Sequence, residues 1–181
     1  SNSGTQLNFT SNQVFRDVSA WYHIVIAMDT TQSTSTNRVK WYVNGNQISI
    51  DATTTFPPQN TDQKILTGGQ TNKNHIGKTH PSGGEFDGYF AEFVFIDGQQ
   101  LDATSFGEFD TTTTNVWKAK DVSGLTFGTN GFYLDFEDSS DLGNDANGSN
   151  NWTSNNLAAT DQSIDTCTNN FATLNPLTNE D

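Results

Sequence analysis

The chain has 181 residues, and its 13 Phe, 4 Trp and 4 Tyr supply large apolar surfaces for one folded core although only 32% of residues are hydrophobic. A formal net charge of −13 argues against nucleic acid as a partner, because binding to phosphate backbones requires clustered Lys and Arg. No apolar run approaches the roughly 20 residues of a membrane-spanning helix, so we expect no membrane insertion, and the single Cys167 excludes an internal disulfide and a cysteine-ligated zinc site.

The first clear elements are two neighbouring antiparallel strands within residues 21–45. Residues 21–28 are largely apolar on both faces, which favours an interior strand with His23 among core neighbours. Residues 39–43 alternate between apolar and polar side chains. Asn44-Gly45 then predicts a tight hairpin turn into Ile48 and Ile50.

Later strands are predicted between long polar segments. Residues 51–73 and 79–85 are predicted loops, since Pro, Gly and polar residues interrupt any regular pattern there. Strands are predicted at residues 74–77, at 89–96 with both faces apolar, and at 132–136. Asp102 is placed to N-cap the single predicted helical turn, which ends near Gly107. Almost no helical periodicity is present, and the pattern as a whole predicts an all-β fold.

Charge and composition change in the C-terminal part of the chain. Residues 1–120 hold 11 acidic and all 8 basic residues, whereas residues 121–181 hold 10 acidic residues and no Lys or Arg. From residue 138 the chain is polar and rich in Asn and Asp, which is typical of a functional segment or a linker. An acidic surface keeps a protein soluble, and cation binding is the alternative interpretation.

Four segments of the chain, taken in order, resemble the core motifs of laminin-G-like domains. They are WYHIV at residues 21–25, RVKWYVNG at 38–45, NHIGK at 74–78 and FDGYFAEFVFIDG at 86–98. These domains belong to the concanavalin A-like lectin and glucanase superfamily. The resemblance implies an antiparallel jelly-roll β-sandwich over residues 1–137. It also implies that the sandwich is incomplete at its N-terminus, because only residues 5–10 could serve where the family has several strands.

The same resemblance leaves two interpretations of residues 138–181. Residues 131–151 are similar to the opening segment of such a domain. The acidic tail is therefore either a returning strand of the same sandwich or the start of a following domain.

The amino-acid sequences of these segments most resemble those of laminin-G-like domains in virion proteins of large tailed phages. Residues 15–17, 105–108 and 169–176 add to that similarity. It implies a virion-surface or extracellular location in a tail fibre or similar appendage. The implied partners are a host-surface glycan or receptor and other virion subunits, with homo-oligomer formation.

Five oxygen-bearing side chains in one short Gly-bearing loop are candidate ligands for Ca²⁺, namely Asp138, Asp141, Asp145, Asn147 and Asn150. Calcium prefers several carboxylate and amide oxygens. The spacing is not that of an EF-hand, which requires Glu at the twelfth position. Turns rich in Asp and Asn also arise for backbone reasons alone, so a structural loop is the alternative.

Carbohydrate binding is the functional hypothesis for the other loops. Sugar recognition needs an aromatic platform together with amide or carboxylate groups that bond to hydroxyls. The candidate residues are Asn72, Asn74, His80, Trp117 and Trp152. Aromatic residues in β-sandwiches also pack the core, which is the structural alternative for the two tryptophans.

The sequence does not predict an enzyme. Glu85-Phe86-Asp87 begins the paired-carboxylate pattern of glycoside hydrolases in this superfamily, but Tyr89 and Phe90 stand where the second glutamate belongs. The first hypothesis is therefore a non-catalytic recognition or adhesion module that binds host-surface carbohydrate. A purely structural virion or fibre-assembly domain is the alternative, and a glycoside hydrolase is the third hypothesis.

Overall fold

The computed structural model describes residues 9–51, 55–62, 74–80, 83–113 and 115–163. Within these ranges the chain forms short strands that pair only in antiparallel fashion, together with single turns of 3-10 helix, which confirms the all-β class. The strands are β1 (Ile24–Met28), β2 (Val39–Val43), β3 (Asn46–Gln47), β4 (Lys78–His80), β5 (Gly83–Glu85), β6 (Phe93–Phe95), β7 (Gly107–Phe109), β8 (Trp117–Ala119) and β9 (Phe132–Leu134). The 3-10 turns are Ser35–Asn37, Ala103–Ser105 and Ala159–Asp161. No helix among the described residues has the length and apolar character to cross a bilayer.

The largest sheet contains β1, β2 and β3 in that order. The predicted hairpin between β2 and β3 is confirmed, with Asn44 at φ 47° and Gly45 at φ 79° forming its two-residue turn. Two positive φ angles are the signature of the type I′ turn, whose twist matches that of the flanking strands. The turn is tied to the start of β1, since the side-chain oxygen of Asn44 accepts the His23 N–H at 2.8 Å.

The outer strand β1 is less covered than its sequence indicates. Val25 and Ala27 are buried, but Ile24 is 50% exposed and Ile26 is 59% exposed. Among the described strands β1 pairs with β2 alone. The expectation of an interior strand buried on both faces is therefore wrong for Ile24 and Ile26, because side chains alternate between the faces of a strand and only the face with Val25 and Ala27 is covered.

A second pair, β6 with β9, carries the aromatic core. Phe132 and Leu134 are each only 2% exposed, as predicted for one face of this strand. The Phe132 ring lies at centroid distances of 6.0 Å from Phe93 and 5.6 Å from Phe95. Phe136 adopts φ 59°, a conformation outside the extended region, so β9 ends before it and the predicted strand is shorter than expected.

Two other expectations are wrong in the middle of the chain. Residues 74–77 form no strand, and the predicted loop at 79–85 instead contributes to the β4–β5 hairpin, in which Lys78 contacts Glu85 at 2.9 Å. The strand predicted at 89–96 is limited to β6, because Glu92 has φ 55° and interrupts the extended backbone.

The β7–β8 pair is an addition that sequence patterns did not indicate. Trp117 of β8 covers Gly45 and Gly107, neither of which could carry a side chain without meeting its ring. The helical turn before β7 is confirmed as a 3-10 turn, and Asp102 caps it by accepting the Thr104 N–H at 3.0 Å.

Residues 138–152 pack against β9. The backbone N–H of Ala146 donates to the Tyr133 carbonyl at 2.8 Å, and Leu142 is buried. The Trp152 ring lies 5.1 Å from that of Phe132. No strand occurs in the described part of the acidic tail, residues 138–163.

Candidate functional site

An open groove of about 870 Å³ lies between the turn at residues 87–89 and the segment at 156–163. Its volume falls within the roughly 300–1,000 Å³ that is typical of small-molecule sites. Residues 87–89, 156, 157 and 160–163 line it. The groove is the candidate functional site because it combines an exposed aromatic ring with carboxylate, amide and hydroxyl groups.

The first wall follows directly from the end of β5. The Phe86 N–H donates to the Gly77 carbonyl at 2.8 Å, which fixes the chain as it leaves the hairpin. The Phe86 and Phe90 rings then pack at 4.5 Å, and a side chain at Gly88 would come within 2.7 Å of the Phe86 ring. This packing leaves Tyr89 at the rim, where it is 71% exposed.

The second wall is organised by Asp161. Its Oδ2 accepts the Ala158 N–H at 2.7 Å, while its own N–H donates to the Ala158 carbonyl at 2.9 Å, and both bonds hold the 3-10 turn. The side chain of Gln162 donates to the carbonyls of Phe136 and Glu137 at 2.8 and 2.9 Å. The wall is therefore anchored to the segment that follows β9.

The chemistry of the groove suits a ligand with both apolar and polar faces. Tyr89 and Leu157 are exposed apolar surfaces, with Leu157 at 55%. Asp87, Asp161 and the amide of Asn156 are candidate partners for hydroxyl or amine groups. Among the described residues that line the groove there is no Lys, Arg or His.

A second acidic region lies near the start of β6 and the end of β9. Burial raises the pKa of Glu92, and the carboxylates of Glu137, Asp121 and Asp135 raise it further. Burial also raises the pKa of the Tyr133 hydroxyl, and the carboxylates of Glu92, Asp135, Glu137 and Asp121 raise it further. These groups disfavour additional negative charge around one another.

The predicted calcium ligands differ in burial and in hydrogen-bond partners. Asp145 is only 5% exposed, and its carboxylate accepts the N–H groups of Tyr133, Asn147 and Asn150 at 2.9, 3.2 and 3.0 Å. Its place in the sequence is thus explained by backbone hydrogen bonds. The Asn150 side chain donates to the carbonyls of Thr129 and Gly131 at 3.1 and 2.8 Å.

The remaining members of that set have roles in the loop itself. Asp138 accepts from Ser140, and Asp141 accepts the Gly143 N–H at 3.1 Å, as in ordinary Asx turns. Asn147 is exposed beside Asp145. Across the described residues no group of three or more His, Cys, Asp or Glu side chains is placed to hold a metal ion. Calcium binding stays a prediction from the sequence.

The predicted sugar-binding residues are dispersed. Asn72 lies outside the described residues, Asn74 is exposed before β4, and His80 belongs to β4. Trp117 packs on His23 at 5.8 Å and on Phe109 at 4.9 Å.

Trp152 packs on Phe132 in the aromatic core. Neither Trp117 nor Trp152 lines the groove. Sequence patterns do not single out Tyr89 or residues 156–163 as a binding site. The signal that could have found Tyr89 is the turn at Asp87-Gly88, which brings an aromatic residue to a loop rim.

Comparisons with protein-family models, with curated proteins and with solved structures find no match to this chain. The function of the groove must therefore be argued from its own residues.

Proposed function

We propose that this chain is a non-catalytic recognition module that binds carbohydrate through the groove between residues 87–89 and 156–163. The observation that carries the proposal is the exposed ring of Tyr89 beside carboxylate and amide groups. The apolar face of a pyranose ring packs on an aromatic side chain, while its hydroxyls need such polar partners.

We further propose that the described strands belong to a jelly-roll β-sandwich of the laminin-G-like type. Antiparallel pairing of all described strands supports this architecture, as does the packing of Trp117 of β8 on His23 next to the β1–β2–β3 sheet. The four segments that resemble the family are the remaining support. On the same resemblance, the module is placed on the outer surface of a phage virion, in a tail fibre or similar appendage, where the glycan would belong to the host.

Binding of a panel of surface oligosaccharides, followed by isothermal titration of each binder, tests the proposal. Tyr89→Ala should weaken binding by about tenfold, because it removes the aromatic platform. Val18→Ala is the matched control, since Val18 is fully exposed and does not line the groove. Equal affinities of the Tyr89→Ala variant and the parent chain would refute the proposal, and release of reducing sugar would favour a hydrolase.

An architectural role in virion or fibre assembly is the second candidate, favoured by the edge of β1. Ile24 and Ile26 are at least half exposed on one face of β1, and no described strand pairs with the edge of β1 opposite β2. Uncovered strand edges can pair with another chain. Sedimentation of the purified chain tests this role, since Ile26→Lys should shift a self-associated species towards monomer and leave glycan binding unchanged.

A further inference from the structure

We infer that the groove selects sugars that carry a free, protonated amino group over their neutral and anionic counterparts. The inference rests on the proposed function and adds the charge class of the ligand. It is argued from the charges that line the two walls.

Each wall of the groove contributes one carboxylate, Asp87 from the turn and Asp161 from the 3-10 segment. Neither is neutralised within the described residues, where the ion pairs join Lys78 to Glu85 and Lys118 to Glu108 and Asp110. A ligand in the groove therefore meets negative charge from both sides. A protonated amine gains from this field, and a carboxylated or sulfated sugar is repelled.

The carboxylate of Asp161 is preorganised for such a contact. Its Oδ2 is fixed by the Ala158 N–H at 2.7 Å, and Oδ1 has no hydrogen-bond partner among the described residues. Because the turn already restricts this side chain, little rotamer freedom is lost when an ammonium group binds. Glu137 adds a further acidic residue behind this wall, where its carbonyl accepts from Gln162.

The two carboxylates alone would attract any cation. The exposed apolar side chains in the same groove are what favour a sugar ring. Tyr89 is 71% exposed and Leu157 is 55% exposed within the same groove. Both side chains line the groove, so a pyranose ring bound there packs against apolar surface while its amino group faces the carboxylates of the same lining. A basic peptide is the competing occupant, and the experiment below distinguishes it.

The test compares two probes, the β-1,4-linked trimer of glucosamine and the trimer of N-acetylglucosamine, which share a backbone and differ in whether the amine is free and charged. Isothermal titration is carried out in EDTA at low ionic strength and about pH 5, where the amines of glucosamine, which the neighbouring oxygens make less basic than that of Lys, are protonated. We expect the glucosamine trimer to bind about fivefold more tightly. The preference should fall towards unity in about 0.5 M salt, which screens exposed charges.

Variants assign the preference to the two carboxylates. Asp87→Asn with Asp161→Asn should remove the preference while the acetylated trimer still binds, and Asn at 161 retains an oxygen that can accept the Ala158 N–H. Asp62→Asn is the matched control, because Asp62 is exposed and does not line the groove. Tyr89→Ala should weaken both trimers. Thermal melting of each variant verifies that it is folded.

The outcomes separate the inference from the proposal on which it rests. Equal binding of the two trimers overturns the inference and leaves carbohydrate recognition standing. Binding of neither trimer, when another neutral or anionic glycan binds, also overturns it. Trilysine that binds as tightly as the glucosamine trimer and ignores Tyr89→Ala overturns it in favour of a peptide site. If no glycan of any charge class binds, both the inference and the proposed function fail.

Discussion

The carboxylate of Asp145 accepts the backbone N–H of Tyr133 at 2.9 Å, and so joins the loop after residue 138 to strand β9. Two further N–H groups, from Asn147 and Asn150, bond to the same carboxylate. The loop is thus closed around one buried acidic side chain. The Asp and Asn residues of this loop resemble a cation site in sequence, but the central one, Asp145, accepts hydrogen bonds from the backbone.

Replacement of Asp145 should destabilise the fold more than replacement of an exposed Asp in the same loop. Asp145→Ala leaves three N–H groups without their acceptor, and we expect a loss of about 3 kcal/mol in the free energy of unfolding. Asp138→Ala, which opens an exposed turn, should cost less than about 1 kcal/mol. Urea unfolding of both variants in EDTA measures the difference, and equal losses would contradict this role of Asp145.

Calcium addition tests the sequence prediction for the same loop. If Asp138, Asp141, Asp145, Asn147 and Asn150 hold Ca²⁺, excess CaCl₂ should raise the melting temperature above its value in EDTA. Asp138→Asn combined with Asp141→Asn should abolish that rise, since these are the two exposed carboxylates of the set and Asp145 is buried. A melting temperature that calcium leaves unchanged would contradict the prediction.

Two glycines with similar φ angles should respond differently to alanine. Gly45 has φ 79° and lies under the Trp117 ring, whereas Gly98 has φ 82° and open space for 4 Å around the point where a Cβ would lie. Gly98→Ala should cost about 1 kcal/mol from backbone strain alone. Gly45→Ala adds displacement of Trp117 and should cost about 3 kcal/mol. Similar losses in urea unfolding would show that Trp117 does not cover the hairpin turn.

Glu92 should make folding stability fall as pH rises. Burial, followed by Glu137, Asp121 and Asp135, raises the pKa of Glu92 in the folded state. Below the pKa of an unfolded Glu, about 4.3, the side chain is protonated in both states and there is no penalty. As the pH rises through the folded-state pKa, stability is lost because burial, and then the neighbouring carboxylates, disfavour the charged form. Glu92→Gln should therefore raise the free energy of unfolding at pH 7 and have little effect near pH 4.

Glu85→Gln is the control for that measurement. The Lys78 side chain, by hydrogen bond and charge, lowers the pKa of Glu85, so the sign of the effect is reversed. This variant should be no more stable than the parent chain at pH 7. Urea unfolding across the pH range gives both comparisons, and a Glu92→Gln variant without any gain at pH 7 would contradict the proposed penalty on the Glu92 charge.

Local signals predicted the parts of the fold that local geometry determines. Asn44-Gly45 specifies a hairpin turn by its positive φ angles, and Asp102 caps a helical turn with its own side chain. The alternation of Phe132 and Leu134 likewise identifies a buried face. The β4–β5 hairpin was missed because its residues are polar and rich in Gly, so neither strand has an apolar alternation.

The site was harder to predict because it depends on which aromatic residues the fold leaves exposed. Trp117 and Trp152 were plausible platforms, but tertiary packing places Trp117 on His23 and Trp152 on Phe132. The sequence pattern places Tyr89 in a strand apolar on both faces, whereas the positive φ of Glu92 separates it from β6. The opposite wall lies about 70 residues further along the chain, a distance that no local pattern spans.

The most direct test of carbohydrate binding in the groove is a titration followed by the amide chemical shifts of the ¹⁵N-labelled chain. The glucosamine trimer and its N-acetylated counterpart are added in separate titrations. In the parent chain we expect saturable shift changes at Gly88, Tyr89 and Leu157. In the Tyr89→Ala variant the changes at Gly88 and Leu157 should be much smaller at the same concentrations. Saturable changes confined to residues outside the groove, or an unaltered response in the Tyr89→Ala variant, would contradict carbohydrate binding in the groove.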